Sequence, residues 1–307
     1  MSQKTTDKKN HILKAALQLF STKGISSTSM QEIAEVCGMS KGSLYLHFKS
    51  KEELEKSIYL YCIHMISNSI MQVELETQLS PKEQLQQQFE TLLSHMLELR
   101  EFVKHQLMDG ANPPKNEMSG CIFEDQFTTI DWFKTKLETI YGPELKPYTL
   151  DLILMVSGML ISYIRIMFIP EYLPLNIRNM SNQLIFLLDH VADSMLTNHY
   201  EPLIPSDILS HWFNTDRKQA SIQRHPLLIS KEMRFVLKEK LCEGDQLTDA
   251  LESIHILETE LVNNQPRRAI LMGMLANLEQ IPEVEDMKKE LLEIVKLYFI
   301  GQSDRSL

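Results

Sequence analysis

Between Thr28 and Leu54 the chain reads TSMQEIAEVCGMSKGSLYLHFKSKEEL, two short helical stretches hinged on a glycine. Thr28 or Ser29 offers an N-cap oxygen with Gln31 or Glu32 three residues on, the spacing of a capping box. Met30, Ile33, Ala34 and Cys37 then share one helical face. Gly38 supplies the left-handed backbone of a tight turn. Ser40 caps the next helix, whose inward face is Leu44 and Phe48, four residues apart. Ser50 and Glu53 repeat the capping spacing and open a fourth helix. Upstream, Ile12, Ala15, Ala16, Leu19 and Phe20 recur at helical spacing and predict a first helix from about Asp7 to Lys23, stopped at Gly24. A three-helix head containing a helix-turn-helix accounts for all of these signals.

The outer face of the third helix carries Lys41, Gly42, Ser43, Tyr45, Leu46 and His47. Gly42 costs a helix about 1 kcal/mol against alanine, a cost explained if the backbone must come close to DNA. In the major groove a lysine such as Lys41 donates to guanine O6 or N7, and Leu46 suits a thymine methyl. Ser27, Thr28, Ser40, Ser43, Tyr45, His47 and Lys51 are suited to phosphate oxygens or to the caps that aim the helix at them. The bland alternative is a solvated polar face on a purely structural unit. The agreement of turn, caps and outer residues favours DNA.

At these residues the chain resembles the TetR family of transcriptional regulators. The family's pattern is met by Thr28, Ile33, Ala34, Gly38, Ser40, Lys41, Gly42, Tyr45, His47, Phe48, Lys51, Glu53 and Leu54, within about the first 55 of 307 residues. Leu46 departs from it, since many relatives carry tyrosine there. The resemblance implies a homodimer on a double-stranded, near-palindromic DNA operator. It also implies an all-helical body of variable sequence that binds a small hydrophobic ligand. Genes of efflux or lipid handling are the targets it suggests.

Charge divides the chain in the same place. Residues 1–56 hold nine lysines against six acids, a balance of +3, and the remainder carries −13, for a net charge of −10. A small basic reader on an acidic body keeps DNA to one surface. The head has no arginine, the first being Arg100. Its phosphate contacts therefore rest on lysine point charges, and affinity should fall steeply with salt. Cys37, Cys62, Cys121 and Cys242 are scattered without a CxxC pair, as expected of free thiols in a reducing cytoplasm. Residues 1–10 are polar and carry no apolar signal segment.

Past the head the pattern stays all-α, with domains expected over 1–55 (DNA-binding), 56–200 (ligand-binding and dimerisation) and 201–307 (an additional helical domain). A fourth helix runs on from Lys51 through Ser69. Ser80-Pro81 opens another, with Leu85, Phe89, Leu92, Leu93, Met96 and Leu99 as its stripe. Asp109–Pro114 is a break. Thr149–Ile169 is the most apolar stretch, but Asp151 and Arg165 argue against a membrane span. A helix apolar on nearly every side must meet the core and a further surface. Its expected neighbour is the helix over Asn179–Leu196, and by resemblance the two pair with their copies across a twofold axis.

For the ligand, the candidates are Phe123, Phe127, Trp132, Phe133, Met159, Tyr163 and Arg165. The chain holds 17 methionines, which with these aromatics either line an adaptable cavity or simply pack the core. Arg165 would meet a ligand anion or an acidic side chain. His95 and His105 do not have metal-ligand spacing. No phosphate loop, HExxH, Gly-x-Ser-x-Gly or paired-carboxylate pattern points to an enzyme, and no cofactor is expected.

The segment past Glu201-Pro-Leu-Ile-Pro205 is expected to hold a short helix over Asp207–Asn214 and loop over Lys218–Ile229. Helices over Ser230–Cys242, Leu247–Leu261, Pro266–Gln280 and Pro282–Phe299 follow. It either buttresses the dimer or docks another protein. In the second case the chain is a DNA-bound interaction protein with no small-molecule ligand.

Overall fold

The structure, a computed structural model, describes residues 3–108, 130, 132–168, 175–204, 225–241, 244–263, 266–279 and 281–303. Among them the regular structure is entirely helical. In the N-terminal part α1 spans Gln3–Lys23, α2 Met30–Val36, α3 Lys41–Tyr45 and α4 Lys51–Gln72. α1 starts about a turn earlier than the expected Asp7, because the apolar stripe begins only at Ile12 and is blind to the polar residues before it.

The middle part comprises α5 (Pro81–Glu98), α6 (Arg100–Met108), α7 over residues 132–141, α8 (Thr149–Met167) and α9 (Ile177–Asn198). α5 packs on α8 and α9, and α8 on α9. Leu85, Phe89, Leu93, Leu137, Leu152, Val156, Leu184 and Leu188 fill the core between them. Polar ties lock the same helices. Lys82 and the Tyr141 hydroxyl both donate to Asp189, at 2.7 and 2.9 Å, and burial together with the Asp189 bond raises the Tyr141 phenol well above its ordinary range. The helical stretch Pro143–Met167 is long and apolar enough to cross a bilayer, a test that core helices also pass. Its inner residues, Leu152, Ile153 and Val156, lie in this core. Buried Asp151 accepts the Leu203 and Ile204 backbone N–H groups at 2.7 and 3.0 Å.

The C-terminal helices are α10 (Pro226–Lys240), α11 (Asp245–Leu261), α12 (Arg268–Asn277) and α13 (Glu285–Ser303). Their core is Ile229, Met233, Leu237, Ile254, Leu257, Leu271, Leu275, Leu291 and Val295. Pro226, expected in a loop, is instead the first residue of α10. There its missing N–H costs nothing, and the His225 side chain accepts from the Leu227 N–H. Pro266 lies outside α12, whose N-cap is Arg267. The short helix expected over Asp207–Asn214 lies outside the described residues.

The chain forms two compact units. One is Leu13–Ile66 with Glu76–Ile222; the other is Met1–Ile12, Ser67–Leu75 and Gln223–Leu307. The C-terminal helices thus share their unit with the last turns of α4.

Candidate nucleic-acid interface

The head is built on caps. The Ser29 hydroxyl accepts the Glu32 N–H at 3.2 Å, and Glu32 accepts the Ser29 N–H at 2.8 Å, completing the box. The Ser29 N–H, the Lys23 ammonium at 3.0 Å and the Ser29 hydroxyl, which donates to the carboxylate at 3.0 Å, hold the Glu32 carboxyl down at about 2. Of the two residues offered by the sequence, Ser29 is the cap. Thr28 is 1% exposed and donates its hydroxyl to the Gly24 carbonyl at 2.8 Å, so it closes the α1–α2 loop from within. Gly38, at φ +65°, makes the turn, and the Met39 N–H returns to the Ala34 carbonyl at 2.9 Å.

Ser40 caps α3 by accepting from the Ser43 N–H at 3.1 Å, and its hydroxyl also meets that of Ser43 at 2.8 Å. α3 itself is five residues long, and the Phe48 N–H still bonds to the Leu44 carbonyl at 3.1 Å. Leu44 and Phe48 are fully buried, together with Ala16, Phe20, Ile33, Ala34, Leu54 and Ile58. The inward anchoring of α3 leaves its other side to solvent. At the cap of α4 the Ser50 hydroxyl accepts from the Glu53 N–H at 3.1 Å, but Glu53 accepts the Lys49 N–H, at 2.7 Å, one residue before the expected partner.

What α3 presents outward is chemically mixed. Lys41 and Gly42 are exposed, Tyr45 is 42% exposed and Leu46 86%, with His47 and Lys51 half-buried beside them. Ser27 is exposed in the preceding loop. An added Cβ at Gly42 would meet nothing nearer than the Ser40 hydroxyl at 4.0 Å. Nothing among the described residues therefore requires glycine there. A cation, a phenol, an aliphatic tip and open backbone on one short, rigidly capped helix are the groups that read base edges and phosphates.

The ligand candidates fall into three sets. Trp132, Phe133, Met159 and Tyr163 all join the apolar cluster of the middle helices. In it Phe133 stands edge-on to Phe89, with ring centroids 6.1 Å apart, and stacks with Trp132 at 5.8 Å. Arg165 is exposed on α8, away from that core. Phe123 and Phe127 lie outside the described residues. Among the described residues no group of three or more His, Cys, Asp or Glu side chains is placed to hold a metal ion.

This geometry defines a helix-turn-helix DNA-binding protein. Residues 12–58 match the family described as bacterial regulatory proteins, tetR family. Two Bacillus subtilis (strain 168) relatives align along almost the whole chain. HTH-type transcriptional regulator YerO is 30% identical over 296 residues, covering 94% of this chain and 96% of that protein. HTH-type transcriptional regulator YuxN is 26% identical over 292 residues, covering 94% and 98%. HTH-type transcriptional regulator AcrR of Shigella flexneri is 41% identical over 76 residues, 25% of this chain and 34% of that protein. The chain belongs to the tetR family of bacterial regulatory proteins and is a DNA-binding transcriptional regulator. The alignments with YerO and YuxN are too long to leave out the C-terminal helices, so that segment is shared with relatives rather than appended to this chain alone.

Proposed function

We propose that the protein is a homodimeric repressor that leaves a near-palindromic operator when a small hydrophobic ligand binds its middle helices. The observation that carries the reading is the outward face of α3, where Lys41, Tyr45 and Leu46 stand beside a glycine that nothing among the described residues requires. One head contacts too few base pairs to select an operator, whereas two heads about 34–36 Å apart read successive major grooves. Leu154, Met155 and Ile161 on α8 and Phe186 on α9 are exposed, Phe186 by 58%. These neighbouring helices supply the apolar surface that a second copy covers. Ser27, Ser43, His47 and Lys51 hold phosphates, while Thr28 and Ser40 act through the caps and turns they close.

Trp132, Phe133, Met159 and Tyr163 are the residues proposed to meet the ligand. Ligand and operator then oppose each other through one coupling free energy of about 1–3 kcal/mol. Selection of DNA from a random duplex pool by the purified protein, followed by sequencing and sedimentation of the complex, tests the reading. It predicts an inverted repeat with half-sites about 10 bp apart, or a multiple of that, and at least two chains bound. Enrichment of a single half-site by one chain would overturn it.

A further inference from the structure

α4 is one unbroken helix of 22 residues, Lys51–Gln72, about 33 Å long at about 1.5 Å per residue. Its first turns are anchored in the head by Leu54 and Ile58, both fully buried. Its last turns, with the 3-10 turn Val73–Leu75, fall in the compact unit of the C-terminal helices. There Met71, Val73 and Glu74 are buried, and Lys231 of α10 donates to the Glu74 carboxylate at 2.6 Å. α10 is fixed in turn, because Arg234, one turn past Lys231, is paired with buried Glu258 of α11. Just past Glu74, the Glu76 carbonyl accepts from the Gln84 side chain of α5 at 2.9 Å, and Gln84 accepts from buried Lys136 of α7 at 2.7 Å. The far end of the helix that leaves the head is thus tied twice, by α10 at Glu74 and by α5 at Glu76.

We propose that Lys231 is a positioning residue for DNA reading: through Glu74 the C-terminal helices fix the direction of α4, and with it the spacing at which two heads meet an operator. Sharp kinks in helices arise mostly at proline, at glycine or at bulges, and α4 contains neither proline nor glycine. A change of direction imposed at Glu74 is therefore carried to Ile58 and Leu54 instead of being absorbed on the way. Without the Lys231 cation α4 samples more directions, and only a fraction of molecules holds both heads at the operator's spacing. Apparent affinity falls by that fraction. The Gln84 bond to Glu76 remains, so the loss is partial. The inference rests on the reading of two heads on an inverted repeat, and adds to it a determinant outside both the head and the middle helices.

Fluorescence anisotropy of the full-length protein decides it, with the selected inverted repeat, the same repeat lengthened by about one base pair between its halves, and a single half-site. Wild type should prefer the inverted repeat over both other duplexes. Lys231→Met should bind the inverted repeat about fivefold or more weakly, bind the half-site as wild type does, and discriminate less against the lengthened repeat. Lys231→Arg, which keeps the cation, should behave as wild type. Circular dichroism at the temperature of binding shows which variants are folded. Glu74→Gln, which weakens the pair without stranding a buried charge, serves if Lys231→Met does not fold, with a smaller loss in the same direction. A pair that only stabilises the fold would leave the ratio of inverted-repeat to half-site affinity unchanged in a folded variant, and that result would overturn the proposal. A wild type that bound the half-site as tightly as the inverted repeat would overturn the two-headed reading, and the proposal with it.

Discussion

Lys231 donates to the Glu74 carboxylate at 2.6 Å, joining α10 to the turn that ends α4 across 157 positions of sequence. The Glu74 side chain is 3% exposed and that of Lys231 45%. Loss of the cation removes an ion-pair partner from an almost wholly buried carboxylate, although solvent at Lys231 softens the effect. Lys231→Met should destabilise the C-terminal unit by about 1–2 kcal/mol. Glu74→Gln, which retains an oxygen for Lys231, should cost less. Urea unfolding followed by circular dichroism measures both, and a neutral Lys231→Met would show that the pair does not hold α4.

Gly42→Ala separates folding from reading. The added methyl meets only the Ser40 hydroxyl at 4.0 Å, so the head should be as stable as before, or more stable by up to about 1 kcal/mol. On the proposed reading operator affinity should nevertheless fall by about tenfold, because the methyl would occupy the space that this reading gives to DNA. Thermal unfolding and fluorescence anisotropy with a selected operator report the two quantities, and unchanged affinity would remove the close approach from the account.

Acid should loosen the α2 cap over a defined window. Glu32 sits at about 2 instead of 4.5, held there by the Ser29 backbone N–H, the Lys23 ammonium and the Ser29 hydroxyl. A carboxyl depressed by folding contributes in full above its unfolded value and loses that contribution as pH falls towards the folded one. The stability difference between wild type and Glu32→Gln should therefore be largest above about pH 5 and shrink steadily towards about pH 2.5. A difference that stays constant over that range would place the role of Glu32 elsewhere.

Burial pushes the Cys62 thiol up to about 11 and also raises that of Cys37. Since the thiolate is the reactive form, both should alkylate slowly at pH 8 in the native protein and rapidly in urea. Mass spectrometry of the labelled peptides resolves each site. Fast native labelling of Cys62 would mean that this stretch of α4 opens readily.

The head was legible because its determinants are local. A cap and its partner lie three residues apart at Ser29–Glu32 and Ser40–Ser43, and Gly38 marks its turn by composition alone. Where local rules allowed two answers, packing decided. Thr28 and Ser29 were both plausible caps until burial turned the Thr28 hydroxyl onto Gly24. Pro226 reads as a breaker or a starter with equal ease, and only the His225 cap distinguishes them. The all-round apolar character of α8 shows in its exposed Leu154, Met155 and Ile161, which lie outside the core that Leu152, Ile153 and Val156 enter. Contacts distant in sequence left no trace in the pattern. Glu74 with Lys231, and Asp151 with the Leu203 and Ile204 backbone, become visible only once the helices are packed.

The central claim is that the exposed side of α3 reads DNA. Its most direct test is operator binding by Lys41→Ala and Tyr45→Ala proteins at fixed salt, measured by fluorescence anisotropy beside sedimentation and circular dichroism. Both side chains are exposed and hold no part of the buried core. The account predicts folded proteins of unchanged oligomeric state whose operator affinity falls by about tenfold or more for each change. Wild-type affinity in both variants, with folding intact, would contradict it.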